Sequence, residues 1–276
     1  MLKFIRILAE KKWEEKQSRL LTLPSFLSMT TPIPVDVMVV IFSYLSDVEV
    51  INTCAAVCRL WRMAARLRRP LFRCRSTMAD PELQDLQFWP SLDLYGSQIS
   101  SLASLAPLSP LHYLDISWTV VKSLQPLDGC SSLHHLDISG TRVSDLTPLR
   151  SCVSLRKLFI TNCGVADLSP LALLTNLRVL DFHCSKVSDI SPIQGCTSLL
   201  TLNATETLLV DVSVLRFCTR LQEVLLFRTR VEDVSALSVC LQLRMLDIHD
   251  TRVTDVSSLA HIQGLKIVSR HGRTLY

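Results

Sequence analysis

From residue 111 onward, apolar and polar positions return with a fixed beat. Leucine stands at Leu111, Leu133, Leu155, Leu177, Leu199, Leu221, Leu243 and Leu265, each 22 residues after the one before. A weaker unit begins at Trp89, so eight full units occupy residues 89–264 and a half unit follows. Within LHHLDI, residues 133–138, apolar and polar side chains alternate. That period of two predicts a short strand with Leu133, Leu136 and Ile138 turned inward and His134, His135 and Asp137 turned outward. Eight such strands stacked in parallel at ~4.8 Å would form a ridge on the order of 40 Å long.

The rest of the unit has its own pattern. Ser97, Thr119, Thr141, Cys163, Ser185, Thr207, Thr229 and Thr251 share one slot after the strand. A small polar group there is expected to satisfy buried backbone donors at a turn. Val143 re-enters the core, and Leu146 and Leu149 complete the convex side. The stretches SDLTPL, ADLSPL and SDISPI read as helix starts, with Thr147, Ser169 and Ser191 as caps and Pro148, Pro170 and Pro192 at the first helical position. Asp145, Asp167, Asp189, Asp211, Asp233 and Asp255 form a column ahead of these turns. Capping and a solvated edge account for them better than a calcium stack does.

A unit of this length and composition resembles the leucine-rich repeat. The resemblance implies an α/β solenoid with a parallel β-strand ridge. A solenoid cannot bury its own ends, so its front needs a cover. Residues 33–65, IPVDVMVVIFSYLSDVEVINTCAAVCRLWRMAA, suit that place. Pro34 and Asp36 are helix-initiation signals, and Val37, Val40, Ile41, Tyr44 and Leu45 recur at helical spacing. Two more short helices follow, one carrying Val48 and Ile51, the other Val57, Leu60, Trp61 and Ala64. Alone, so small a core would be marginal.

The pairing of IFSYL, residues 41–45, with VCRLW, residues 57–61, resembles the F-box, the module that docks adaptors onto the Skp1 subunit of cullin-RING ubiquitin ligases. The resemblance implies that Pro34, Val37, Ile41 and Leu45 anchor Skp1, with Trp61 from the last helix. An F-box ahead of a leucine-rich array is the layout of the F-box leucine-rich-repeat class, whose array holds substrate. The unit ending xxLxxCxxL is similar to the cysteine-containing repeats of that class, whereas TRVSDLTPL is similar to the shorter repeats of internalins and of a phosphatase-regulating subunit. The expected organisation is a basic amphipathic helix and linker at 1–32, an F-box-like all-helical cap at 33–75, and the solenoid at 76–276.

Composition narrows the function. Hydrophobic residues make up 48% and charged residues 20% of 276, which excludes general disorder. The apolar run at residues 37–42 is too short to span a bilayer. Cys130, Cys152, Cys196, Cys218 and Cys240 share one apolar slot and read as small buried hydrophobes, which suits a reducing compartment, cytoplasm or nucleus. No metal-type cysteine or histidine spacing is present, and no metal or other cofactor is expected. Phosphate loop, nucleophile elbow, HExxH and dinucleotide fingerprints are absent from the sequence, so no catalytic residue is assigned.

Partners are therefore sought on the concave strand face. Its outward positions are varied, and Tyr113, Trp118, His135, Arg156, Phe159, Arg178, His183, Phe227, Arg228 and His249 are the candidates for holding a protein. Seven arginines and no acid lie between Arg59 and Arg75, the one stretch suited to nucleic acid. They read more simply as the solvated face of the last helix of the cap. Two functions stay open: a ligase adaptor binding Skp1 and a protein substrate, or a structural subunit of a larger axonemal, ribosomal or organellar assembly whose helical module is a cap. The six basic residues among the first twenty favour the second, and an organellar import segment is the further alternative there.

Overall fold

A computed structural model describes residues 72–73, 90–105, 111–269 and 274–275. The chain divides into two units, Met1–Pro70 and Leu71–Tyr276, and every described residue belongs to the second.

Strands three residues long recur because each unit supplies only one outward–inward–outward triplet before its turn. They are β2 (Ser91–Asp93), β3 (Tyr113–Asp115), β4 (His135–Asp137), β5 (Lys157–Phe159), β6 (Val179–Asp181), β7 (Thr201–Asn203), β8 (Glu223–Leu225), β9 (Met245–Asp247) and β10 (Lys266–Val268). Each pairs in parallel with the next in sequence order. From β2 to β9 the middle residues Leu92, Leu114, Leu136, Leu158, Leu180, Leu202, Val224 and Leu246 are all fully buried. The alternation read from the sequence is therefore the alternation of the sheet.

Two shorter strands close the ends. β1 (Phe72–Arg73) pairs in parallel with β2, aligning Phe72 with Leu92. It lies within residues 33–75, ahead of the solenoid start expected at 76. β11 (Thr274–Leu275) runs antiparallel to β10 and covers its outer edge, a common device against open sheet edges. The last parallel register differs by one residue. Lys266 aligns with Met245, whereas Met245 aligns with Glu223. The segment Leu265–Lys266 is thus one residue shorter than Leu243–Met245, although the leucines keep the 22-residue beat.

The core repeats with the chain. In one unit Leu133, Leu136, Ile138, Val143, Leu146 and Leu149 are each no more than 1% exposed. Burying a leucine contributes about 1.5–3 kcal/mol, and truncating one to alanine in such a row costs about 2–5 kcal/mol. The convex side consists of 3₁₀ turns, such as Thr147–Ser151 and Ser191–Gly195, rather than α-helices. Successive bonds from Leu149 N–H to Leu146 and from Cys152 N–H to Leu149 fit the few residues the short unit leaves there.

Capping follows the expectation for the aspartate column and departs from it for Thr147. Leu146, not Thr147, occupies the N-cap; Thr147 is the first residue of the turn and Pro148 the second. Asp145 does the capping: its Oδ1 accepts the Thr147 N–H at 2.8 Å. In the serine-containing units the carboxylate works twice. Asp233 Oδ1 accepts the Ser235 N–H at 2.7 Å while Oδ2 accepts the Ser235 hydroxyl at 2.9 Å. Asp167, Asp189, Asp211 and Asp255 repeat that pair of bonds.

The threonine slot serves backbone donors as expected, with Thr141 and Thr251 Oγ1 accepting the Val143 and Val253 N–H at 3.4 Å, and it also donates. Thr119, Thr141, Thr207, Thr229 and Thr251 are buried, and each hydroxyl donates to the carbonyl three residues back at 2.6–2.8 Å. They thereby serve a buried acceptor as well. Cys163 makes the longer reach to the Ile138 carbonyl of the preceding unit, at 2.9 Å.

The cysteine slot is buried as expected, with Leu174 and Ile262 filling it in two units. Cys240 Sγ donates to the Cys218 carbonyl at 3.5 Å, and Cys218 Sγ to the Cys196 carbonyl at 3.6 Å. Burial pushes the Cys152 and Cys218 thiols up to about 12, and those of Cys196 and Cys240 up to about 11. These are packing groups, not nucleophiles.

Candidate functional site: the strand face

The turn after each strand fixes what the face displays. Gly96, Trp118, Gly140, Asn162, Cys184, Glu206, Arg228 and Asp250 share one slot, and all eight have φ between 50° and 66°. Left-handed backbone aims the N–H of the first seven at the carbonyl of the next unit, as from Trp118 to Ser139 at 2.7 Å and from Glu206 to Phe227 at 2.7 Å. Six of the eight are not glycine, so this turn projects side chains along one rim of the face.

Rings and charges are grouped rather than scattered. Tyr113 and His135 stack with centroids 4.3 Å apart, and the Phe159 ring tilts against His135 at 5.4 Å. Burial lowers the His135 imidazole below its usual range, and the Lys157 charge lowers it further against the opposing pull of Asp115. Farther along, Phe227 stacks on His249 at 5.2 Å and the Arg228 guanidinium lies 4.8 Å from the Phe227 centroid. Arg228 also pairs with Glu206 at 2.8 Å and stands 3.8 Å from Asp250. Trp118, 59% exposed, lies over Gly140.

A third group centres on Asp181. Its Oδ1 accepts His183 Nδ1–H at 2.7 Å and the Thr161 hydroxyl at 3.2 Å, and its Oδ2 accepts from Asn203 at 3.1 Å. His183 is thereby oriented through its Nδ1. Asp93, Asp115, Asp137 and Asp181 occupy the third strand position in their units, and Phe159 interrupts the row. Desolvation raises the Asp115 and Asp137 carboxyls above their usual range, opposed by bonds from Ser117 and Ser139.

All ten side chains named from the sequence for this face lie along the strands or the turns that follow them. The structure brings Tyr113, His135 and Phe159 together, and Phe227, Arg228 and His249 together. His183 belongs to the Asp181 group. Arg156 and Arg178 immediately precede β5 and β6 and are exposed. Glu206 and Asp250, outside those ten, clamp Arg228; the 22-residue spacing of Glu206, Arg228 and Asp250 was the available signal. Pro34, Val37, Ile41, Leu45 and Trp61 lie outside the described residues, as do the arginines at 59–69 and Arg75.

Another surface deserves comparison. A groove of about 450 Å³ on the turn side is lined by Val210, Asp211, Arg216, Glu232, Asp233 and Val239. Its charges are engaged locally: Arg216 donates to the Ser213 carbonyl, Glu232 pairs with Arg252, and both aspartates cap turns. Among the described residues no group of three histidine, cysteine or acidic side chains is placed to hold a metal, and no helix is long and apolar enough to cross a membrane.

Comparisons agree with this arrangement. Residues 32–76 match the F-box-like family, and residues 131–173 and 153–195 match the leucine-rich repeats (2 copies) family. Among curated proteins, none matches. Among solved structures, internalin InlF of Listeria monocytogenes superposes with a TM-score of 0.68 at 24% identity, covering 73% of this chain and 60% of that one. Internalin C2 of the same organism gives 0.61 at 23% identity, covering 88% and 99%. A leucine-rich-repeat protein of Leptospira interrogans gives 0.64 at 18%, covering 69% and 51%. At these identities the likeness is one of fold. The chain spans about 60% of the internalin InlF chain. Both matched families are protein-interaction modules, and neither is catalytic.

Proposed function

We propose, from the premise that an F-box-like segment and a leucine-rich-repeat solenoid share one chain, that this protein is a non-enzymatic substrate-recognition adaptor of a Skp1–cullin–F-box ubiquitin ligase. Residues 33–65 dock Skp1, with Pro34, Val37, Ile41, Leu45 and Trp61 as the contacts, and the strand face binds a protein substrate. The observation that carries this is the order of the two matches, 32–76 followed by 131–195, with half-buried rings and exposed charges grouped on the strand face of the solenoid. An adaptor needs no chemistry of its own; it raises the effective concentration of substrate beside the transfer machinery.

Co-expression with Skp1 tests it. The wild-type chain is expected to retain Skp1 through purification, while Ile41→Asp and Leu45→Asp each lose it with an unchanged circular dichroism spectrum. Failure of the wild type to retain Skp1, or unfolding of both variants, would establish the helical segment as a cap. The rival, a scaffold subunit in a larger assembly, draws its support from the basic residues of the first twenty.

A further inference from the structure

Three neighbouring cations of the strand face have no internal counter-charge among the described residues. Arg156, Lys157 and Arg178 are exposed, and none has a side-chain hydrogen bond or ion pair among the described residues. Their spacing is set by the sheet. Lys157 aligns with Val179, so Arg156 and Arg178, each one residue earlier, are in-register neighbours on adjacent strands, ~4.8 Å apart in backbone. The Arg156 carbonyl accepts the Arg178 N–H at 2.8 Å, which fixes that register. Like charges directly opposite one another on a sheet repel. The uncompensated charge also reaches a neighbour, since Lys157 opposes protonation of His135.

The surroundings limit what could neutralise this group. In the unit holding Arg156 and Lys157 the third strand position is Phe159, where the units before and after place Asp137 and Asp181. The positive charge is therefore confined to two adjacent units, between Asp137 of the unit before and Asp181 in the unit of Arg178. A run of acidic side chains, or a nucleic-acid backbone laid along the ridge, would carry its negative charge past those aspartates. A compact dianion would not. Beside the cations, the rings of Phe159, His135 and Tyr113 form a continuous stack that offers an apolar seat.

We infer that Arg156, Lys157 and Arg178 form a receptor for a single phosphorylated serine or threonine in a peptide, with an apolar residue beside the phosphate resting on Phe159 and His135. Two guanidinium forks and an ammonium match the charge and the several acceptor oxygens of one phosphate better than those of one carboxylate. The inference rests on the strand face being the substrate surface, and it makes substrate capture conditional on a modification of the substrate.

The test is fluorescence anisotropy with the full-length chain and fluorescein-labelled peptide pools built around one phosphoserine or phosphothreonine, flanked by random positions enriched in apolar residues. The phosphorylated pool is expected to bind at least about tenfold tighter than the same pool with serine or threonine, and that preference to vanish in Arg156→Ala/Arg178→Ala. Arg244→Ala, farther along the same row, should leave binding unchanged. Arg156→Lys/Arg178→Lys should retain a weakened preference, because the charge stays and the forks go. Equal binding of both pools overturns the proposal, as does undiminished preference in the double alanine variant. Tighter binding of polyglutamate or of single-stranded RNA overturns it too. Skp1 retention is read separately, so loss of phosphopeptide binding with Skp1 kept would refute this inference and leave the adaptor function standing.

Discussion

The indole of Trp118 occupies the space that a side chain at Gly140 would need. A Cβ built on Gly140 would lie 2.9 Å from Trp118 Cδ2 and 3.0 Å from Cε3. Both residues sit in the same left-handed slot of consecutive units, at φ 58° and 66°. The left-handed backbone alone does not require glycine at 140, because six neighbours in the column manage without it. What requires it is the ring laid across from the preceding unit.

Gly140→Ala is therefore expected to cost about 1–2 kcal/mol from the left-handed backbone, plus the displacement of the indole. The indole contribution should disappear in a Trp118→Ala background. A double-mutant cycle by urea denaturation measures it; additivity of the two changes would remove the coupling.

Thr229→Val should lower stability by about 0.5–1.5 kcal/mol, since the buried Leu226 carbonyl keeps the Thr229 N–H at 3.1 Å but loses the hydroxyl at 2.8 Å. Thr229→Ser should recover most of that loss. Ser97 provides the contrast. Its Oγ is buried without a partner, so Ser97→Ala should be near neutral. Urea midpoints at constant m-value separate the three cases.

Chemically identical substitutions should have opposite signs on the two sides of the solenoid. Bonds from Ser235 hold the Asp233 carboxyl below its usual range, and a depressed acid contributes stability above its unfolded value of about 3.9 that is lost as pH falls through its folded value. Asp145, Asp167 and Asp255 share that direction through their bonds to Thr147, Ser169 and Ser257. Asp137 is raised by desolvation, so its favourable contribution exists below about pH 3.9 and is lost as pH rises through its folded value. At pH 7, Asp233→Asn should lower Tm and Asp137→Asn should leave it unchanged or raise it by roughly 1–3 °C. Thermal melts between pH 3 and pH 8 should show both differences shrinking toward the acid end.

Of the seven described cysteines, Cys184 is the exposed one. Brief iodoacetamide treatment of the native chain at pH 8 should label Cys184 and spare Cys130, Cys152, Cys163, Cys196, Cys218 and Cys240. All six should label after denaturation. Peptide mass spectrometry reads the order directly; early labelling at Cys218 would contradict its buried, strongly raised thiol.

The solenoid was legible because its information is redundant: Leu136, Asp137 and Ile138 state the strand, and seven other units restate it. Misreadings arose where the outcome depends on one bond's direction or reach. Nothing in SDLTPL says whether Thr147 or Asp145 meets the free N–H, because both residue types cap. Thr141 was expected to serve a donor; it accepts the Val143 N–H at 3.4 Å and also donates to the Ile138 carbonyl at 2.6 Å, since a hydroxyl can do both and only the backbone shows which. The outward residues of the strand face were recognised individually. Their grouping was not, because stacking of Tyr113 on His135 and clamping of Arg228 between Glu206 and Asp250 depend on side-chain directions across neighbouring units, which a one-dimensional pattern does not carry.

The left-handed column has an evolutionary consequence. Its backbone geometry and its N–H bond to the next unit are the same whether the residue is glycine, tryptophan, glutamate or arginine. Side-chain identity at this address is thus uncoupled from the leucine framework beneath it. Mutations at Asn162, Cys184, Glu206 or Asp250 can be sampled one at a time with little disturbance to folding. A descendant of this gene could change what it captures by rewriting that rim while every buried leucine stays in place.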